Sequence, residues 1–94
     1  MKDGEHIEYF NSGEIFSKNS ILCGKYNGES IDYYKSGEIK YKCFYIDGNL
    51  HGEYIRYYSN GEITYKYYYI YGDDVTELEW LCYNRNLKLE LLGL

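Results

Sequence analysis

The stretch GEYIRYYSNGEITYKYYYIYG, residues 52–72, decides the fold. It holds eight tyrosines and no proline around one Asn-Gly pair. Asn60-Gly61 invites a two-residue hairpin turn, but that register would mix apolar and charged side chains on both faces. A three-residue turn, Ser59-Asn60-Gly61 with glycine in the left-handed conformation, segregates them better. It sets Tyr57 opposite Ile63 and Ile55 opposite Tyr65. One face then carries Ile55, Tyr57, Ile63, Tyr65, Tyr67 and Tyr69. The other carries Arg56, Tyr58, Glu62, Thr64 and Lys66. The tyrosines are read chiefly as cross-strand packing partners.

Outward from this stretch the same pattern recurs every 24 residues. Gly4, Gly28 and Gly52 obey the step, as do Gly13, Gly37 and Gly61, and Gly24, Gly48 and Gly72. Ile7, Ile31 and Ile55 follow it, as do Tyr9, Tyr33 and Tyr57. Glu5, Glu29 and Glu53 form another column, and Lys18, Lys42 and Lys66 a further one. No insertion breaks the register. Residues 1–94 therefore form one domain of three repeats, 4–27, 28–51 and 52–75, with a degenerate C-terminal cap, 76–94. The expected fold is all-β: an antiparallel sheet of consecutive hairpins. The cap lacks the turn glycines, with Thr76 and Arg85 in their place. It is expected to be either a further hairpin or a segment whose residues 87–92 fold back over the sheet.

Composition agrees. Ninety-four residues lie near the lower limit for an autonomous core. Aromatic residues make up 20%, nearly all tyrosine, which suits half-buried strand positions. Proline is absent, as continuous strands require. The net charge of −5 comes without a basic cluster, which argues against direct nucleic-acid binding. Cys23, Cys43 and Cys82 are odd in number and widely spaced, which favours reduced thiols over a disulfide framework. The polar N-terminus does not read as a signal peptide, and no apolar run approaches spanning length. A cytoplasmic location is expected, in a bacterium or in an infected host cell.

The pattern G-E-x-I-x-Y-Y-x-x-G-E-I, followed by an aromatic strand and another glycine, resembles MORN-type repeats over roughly residues 4–75. It is most similar to the variant repeats of bacterial antitoxin components. The matching positions are Gly4, Tyr9, Gly13, Gly28, Tyr33, Tyr34, Gly37, Gly52, Tyr57, Tyr58 and Gly61. The resemblance implies a sheet of consecutive hairpins, often curved into a groove, used for protein contacts and sometimes proposed for lipid contacts. It supplies a scaffold and no catalytic signature.

No nucleophile motif, phosphate loop or dinucleotide fingerprint occurs, so no catalytic, cofactor or metal residue is assigned and no cofactor is expected. His6 and His51 occupy no repeated column. A non-enzymatic protein-binding module is the expected function, acting by occlusion through a tyrosine-and-glutamate surface. The expected contact residues are Tyr34, Tyr58, Tyr68, Arg56, Glu38 and Glu62. Two partners fit: a toxin, as in antitoxin-like neutralisation, or a nucleic-acid-binding enzyme blocked by a phage- or virus-encoded acidic inhibitor. A membrane role ranks last, because an acidic chain without a basic amphipathic helix has little attraction for anionic headgroups. The first strand, residues 5–10, reads as a free sheet edge, which would allow an edge-to-edge homodimer.

Overall fold

A computed structural model describes residues 3–93; Met1, Lys2 and Leu94, at the ends of the expected domain, lie outside the described residues. The strands are β1 (Gly4–Tyr9), β2 (Ile15–Leu22), β3 (Lys25–Tyr33), β4 (Ile39–Ile46), β5 (Asn49–Leu50), β6 (Gly52–Tyr57), β7 (Ile63–Ile70) and β8 (Asp73–Val75). They form one antiparallel sheet in the order β1-β2-β3-β4-β6-β7-β8, with β5 paired to β4. The expected sheet of consecutive hairpins is thus the observed fold. A single helix, α1 (Glu77–Leu91), follows it. The molecule measures 52 × 33 × 22 Å.

Two kinds of turn alternate along the chain. The first is the three-residue turn read from the sequence. Tyr58 N–H donates to the Glu62 carbonyl at 2.7 Å, and Gly61 N–H to the Tyr58 carbonyl at 3.0 Å. Gly61 sits at φ +93°, where a Cβ would be strained. Residues 10–14 and 34–38 repeat these bonds. The second is a two-residue turn at Cys23-Gly24, Asp47-Gly48 and Tyr71-Gly72, with positive φ at both positions. That backbone matches the twist of the flanking strands.

The register beyond the first turn corrects the sequence reading. Tyr57 pairs with Ile63 as expected, but Arg56 pairs with Tyr65, and Thr64 is skipped. The same bulge skips Phe16 in the first repeat and Lys40 in the second. One extra residue in the second strand shifts every later pair by one. Ile55 therefore faces Lys66, and Tyr54 faces Tyr67. The expected faces are overturned. Ile55 shares its side with Lys66 and Tyr68, and Arg56 shares its side with Tyr65 and Tyr67.

On the first of these sides a row crosses six strands: Ile7, Lys18, Ile31, Lys42, Ile55 and Lys66. Isoleucine and lysine alternate in it. The methylene stems of lysine can lie over a neighbouring apolar group while the ammonium stays wet. This accounts for Ile55, between Lys42 and Lys66, being only 6% exposed. Lys66 also reaches diagonally to Glu53, at 3.8 Å. The lysine column of the sequence thus lies within the apolar row, and at Lys66 it meets the glutamate column.

The cap is neither a hairpin nor a fold-back. Thr76 caps α1: its hydroxyl accepts from Glu79 N–H at 3.1 Å, while the Glu79 carboxylate accepts from Thr76 N–H at 3.1 Å. This capping box starts a helix where a fourth repeat would continue the sheet. Leu91 and Leu92 are 80% and 73% exposed, so residues 87–92 do not cover the sheet. The helix docks through its first turns. The edge of the Trp80 ring lies 3.7 Å from where a Cβ on Gly52 would stand.

A candidate interaction surface

The bulges gather aromatic side chains on one face. Asp32, Tyr41, Arg56 and Tyr65 stand in one cross-strand row, and Tyr54 and Tyr67 pair in the adjacent one. Tyr41 and Tyr54 are stacked, with centroids 5.5 Å apart and planes 10° apart. Tyr67 and Tyr69 each lie 6.4 Å from Tyr54, and Tyr65 lies 4.9 Å from Tyr67. Tyr26 and Tyr45 extend the patch at 5.3 Å. Ring pairs at these separations hold one another in place. Towards β1 the same face turns small and polar, with Ser17 and Ser30 buried. Ser30 donates to the Asn19 carboxamide oxygen, and Asn19 donates to Ser17 Oγ at 2.8 Å.

The patch is neutral with two fixed charges. Burial raises the Tyr41 phenol, and the carboxylate of Asp32, to which it is hydrogen-bonded, raises it further. Burial likewise pushes Tyr45 up to about 12 and the Cys43 thiol up to about 11. These groups stay protonated at neutral pH, so the phenols offer donors and acceptors without charge. Arg56 supplies a cation in their midst and Asp32 an anion. Tyr65 is 38% exposed and Tyr67 46%.

The six residues singled out from the sequence fall in three places. Arg56 lies on the tyrosine face. Tyr34, Tyr58, Glu38 and Glu62 lie on the rim of three-residue turns. There the Tyr34 hydroxyl donates to the Tyr57 carbonyl at 2.8 Å, linking two repeats, and Lys40 stands 5.9 Å from the Tyr34 ring centroid. Tyr58 is 55% exposed, and Glu38 and Glu62 are exposed. Tyr68 is 8% exposed, which corrects the expectation that it belongs to an open patch. It sits on the lysine face between Glu53 and Val75. Tyr41, Tyr54, Tyr65 and Tyr67 were not among the expected contacts. The lysine column held the signal: Lys66 comes into reach of Glu53 only if the second strand slips by one.

His6 and His51 do not converge. Three strands separate β1 from β6, about 19 Å at the usual strand spacing. His51 has a structural task that the sequence did not reveal. Its Nδ1 accepts from Tyr71 N–H at 3.1 Å, as Asn27 accepts from Asp47 N–H at 3.0 Å and Asp3 from Gly24 N–H at 3.3 Å. These are positions 3, 27 and 51, one column. Each side chain clamps the two-residue turn about 20 residues ahead. The ring of His51 also packs against Tyr71, Trp80 and Tyr83, at 4.5, 5.4 and 5.6 Å.

Burial lowers the pKa of His51 below its ordinary value near 6.5. Between the folded value and 6.5 the unfolded chain binds more protons, so this contribution is present above 6.5 and is lost as pH falls towards the folded value. Wild-type stability should therefore drop more between pH 8 and pH 5 than that of His51→Asn, which keeps the acceptor used at Asn27. Urea midpoints of both proteins at both pH values measure the difference, and equal drops would refute the assignment.

Among the described residues no group of three His, Cys, Asp or Glu side chains could hold a metal ion. Two shallow depressions of about 200 and 210 Å³ lie among the Glu-Ile-Lys side chains of the opposite face. Both are smaller than typical small-molecule sites, which start at about 300 Å³; a wider hollow of about 490 Å³ lies along α1, lined by Leu81, Asn84, Arg85, Lys88 and Leu89. No helix among the described residues is long and apolar enough to cross a membrane. No family model, curated protein or solved structure matches the chain.

Proposed function

We propose that this chain is a non-enzymatic protein-binding module of the MORN type, which neutralises a partner by covering its working surface, as an antitoxin does. One observation carries the reading: an aromatic platform, Tyr41, Tyr54, Tyr65 and Tyr67 around Arg56, in which Tyr65 and Tyr67 are exposed. Tyrosine and arginine are the residue types that dominate binding energy at protein interfaces. The rings already brace one another, so little side-chain freedom is left to lose on docking. The central cation makes nucleic-acid mimicry the weaker form of the idea, with the acidic groups Glu38 and Glu62 out on the turn rim.

The test is comparative capture from the native host, with mass spectrometry as readout. A true partner is retained by the wild type and by Tyr58→Ala. It is lost, by about 100-fold or more in affinity, with the pair Tyr65→Ala and Tyr67→Ala. Far-UV circular dichroism checks that the pair still folds. Equal capture by all three proteins rejects the platform. A captured protein whose own activity is unaffected by a stoichiometric amount of this chain rejects neutralisation.

A further inference from the structure

We propose that copies of this chain associate head to tail, the outer edge of β7 in one copy pairing with the outer edge of β1 in the next. Within the chain, each repeat presents the outer edge of its second strand to the first strand of the following repeat. β2 is covered by β3, and β4 by β6. The sheet continues past β7 only at Tyr68, Tyr69 and Ile70, which pair with β8. Residues 63–67 have no outer strand among the described residues, and all five are exposed. The capping box at Thr76 turns the chain into α1 just where it would have covered them. At the other end, β1 pairs with β2 on one side, and its other edge has no strand among the described residues. β1 is the first-repeat equivalent of β3 and β6, so its free edge has the same form as the edge that β7 lacks.

The repeats fix the register of the junction. Ser17 pairs with Asp32 and Lys18 with Ile31; one repeat later Tyr41 pairs with Arg56 and Lys42 with Ile55. The next step sets Tyr65 opposite Glu8 of the second copy and Lys66 opposite its Ile7. The lysine–isoleucine row then runs on from copy to copy. A second link follows from the turn rim. The Tyr34 hydroxyl reaches the carbonyl of Tyr57 in the next repeat, so the Tyr58 hydroxyl, one repeat on, would reach the carbonyl of Tyr9 in the second copy. Tyr58 and Tyr9 are 55% and 60% exposed, so both are accessible for it. The edge-to-edge alternative, β1 against β1 centred between His6 and Ile7, sets Glu5 opposite Glu8 twice, and like charges directly opposed disfavour a strand pair. Head-to-tail contact joins two different edges and does not close on itself, so it builds an open series and extends the tyrosine face.

The junction is only five residues long on the β7 side, so association is weak and shows at about millimolar concentration. Cross-linking reads it. Ile7→Cys and Lys66→Cys are made separately in a chain also carrying Cys23→Ser and Cys82→Ser, and the two proteins are mixed and air-oxidised. The expected product is a mixed dimer of two 11.2 kDa chains joined between positions 7 and 66. A chain carrying both cysteines should give a ladder of multimers. Adding Tyr58→Phe should cut the yield several-fold. Lys35→Cys on the turn rim controls for random collision, and far-UV circular dichroism checks each fold. Linkage between two copies of position 7 or two of position 66, linkage to position 35 as readily as to 7, or a light-scattering mass that stays monomeric at about millimolar concentration would each overturn the proposal.

Discussion

Ile55→Ala should lower stability by about 2–5 kcal/mol, read as a shift in the urea midpoint, while Ile7→Ala in the same column should cost less than about 1 kcal/mol. The two side chains are chemically identical and occupy equivalent places in their repeats. Their surroundings differ. Ile55 is flanked by Lys42 on β4 and Lys66 on β7 and is 6% exposed. Ile7 has Lys18 on one side and the open edge on the other and is 37% exposed. The buried apolar positions among the described residues are Ile21, Cys43, Ile55 and Tyr68, spread over both faces. With a core this thin, trimming Ile55 removes a large part of a net stability of about 5–15 kcal/mol. Equal losses at the two positions would show that lysine stems do not shelter the row.

Gly28→Val is the second large effect, about 2–4 kcal/mol by the same measurement. Gly28 lies inside β3 at φ +110°, a backbone that side chains rarely adopt. It marks a second bulge: Asn19 pairs with Ser30 and Ile21 with Tyr26, so three residues of β3 oppose one of β2. A Cβ there would also stand 3.2 Å from the Ser20 Cβ, and a branched side chain brings more atoms into that gap. Strain and crowding act together. Gly61→Val supplies the contrast. Its φ is +93° but no atom lies within 4 Å of the added Cβ, so strain acts alone and the loss should be smaller. If the two losses are equal, the approach of Ser20 has no energetic weight.

The hairpins, their order and the three-residue turn were legible because glycine columns recur without insertion. Gly13, Gly37 and Gly61 report positive φ directly. The bulges at Phe16, Lys40 and Thr64 were not legible in the same way. A skipped residue needs no special side chain, and these three share none. The face assignment failed from that point, and with it the split between packing and accessible tyrosines: Tyr65 and Tyr67 are exposed, and Tyr68 is buried. The helix had a visible signal, Thr76 followed three residues later by Glu79. The 24-residue period drew the reading past it. The role of His51 was hidden because Asp3, Asn27 and His51 are different residue types sharing one property, a side-chain acceptor at one place.

That column also bears on how such a chain can lengthen. Position 75 holds valine, which has no acceptor to offer a further turn. Apart from His51, which also packs against Trp80 and Tyr83 of the cap, the links between units join immediate neighbours, so copying a 24-residue block ahead of residue 28 leaves the third repeat and the cap with the contacts they have. Gene duplication can therefore enlarge the sheet in whole steps, with the old terminus carried along unchanged. A lineage could tune the area of its working surface by copy number before it altered a single interior side chain.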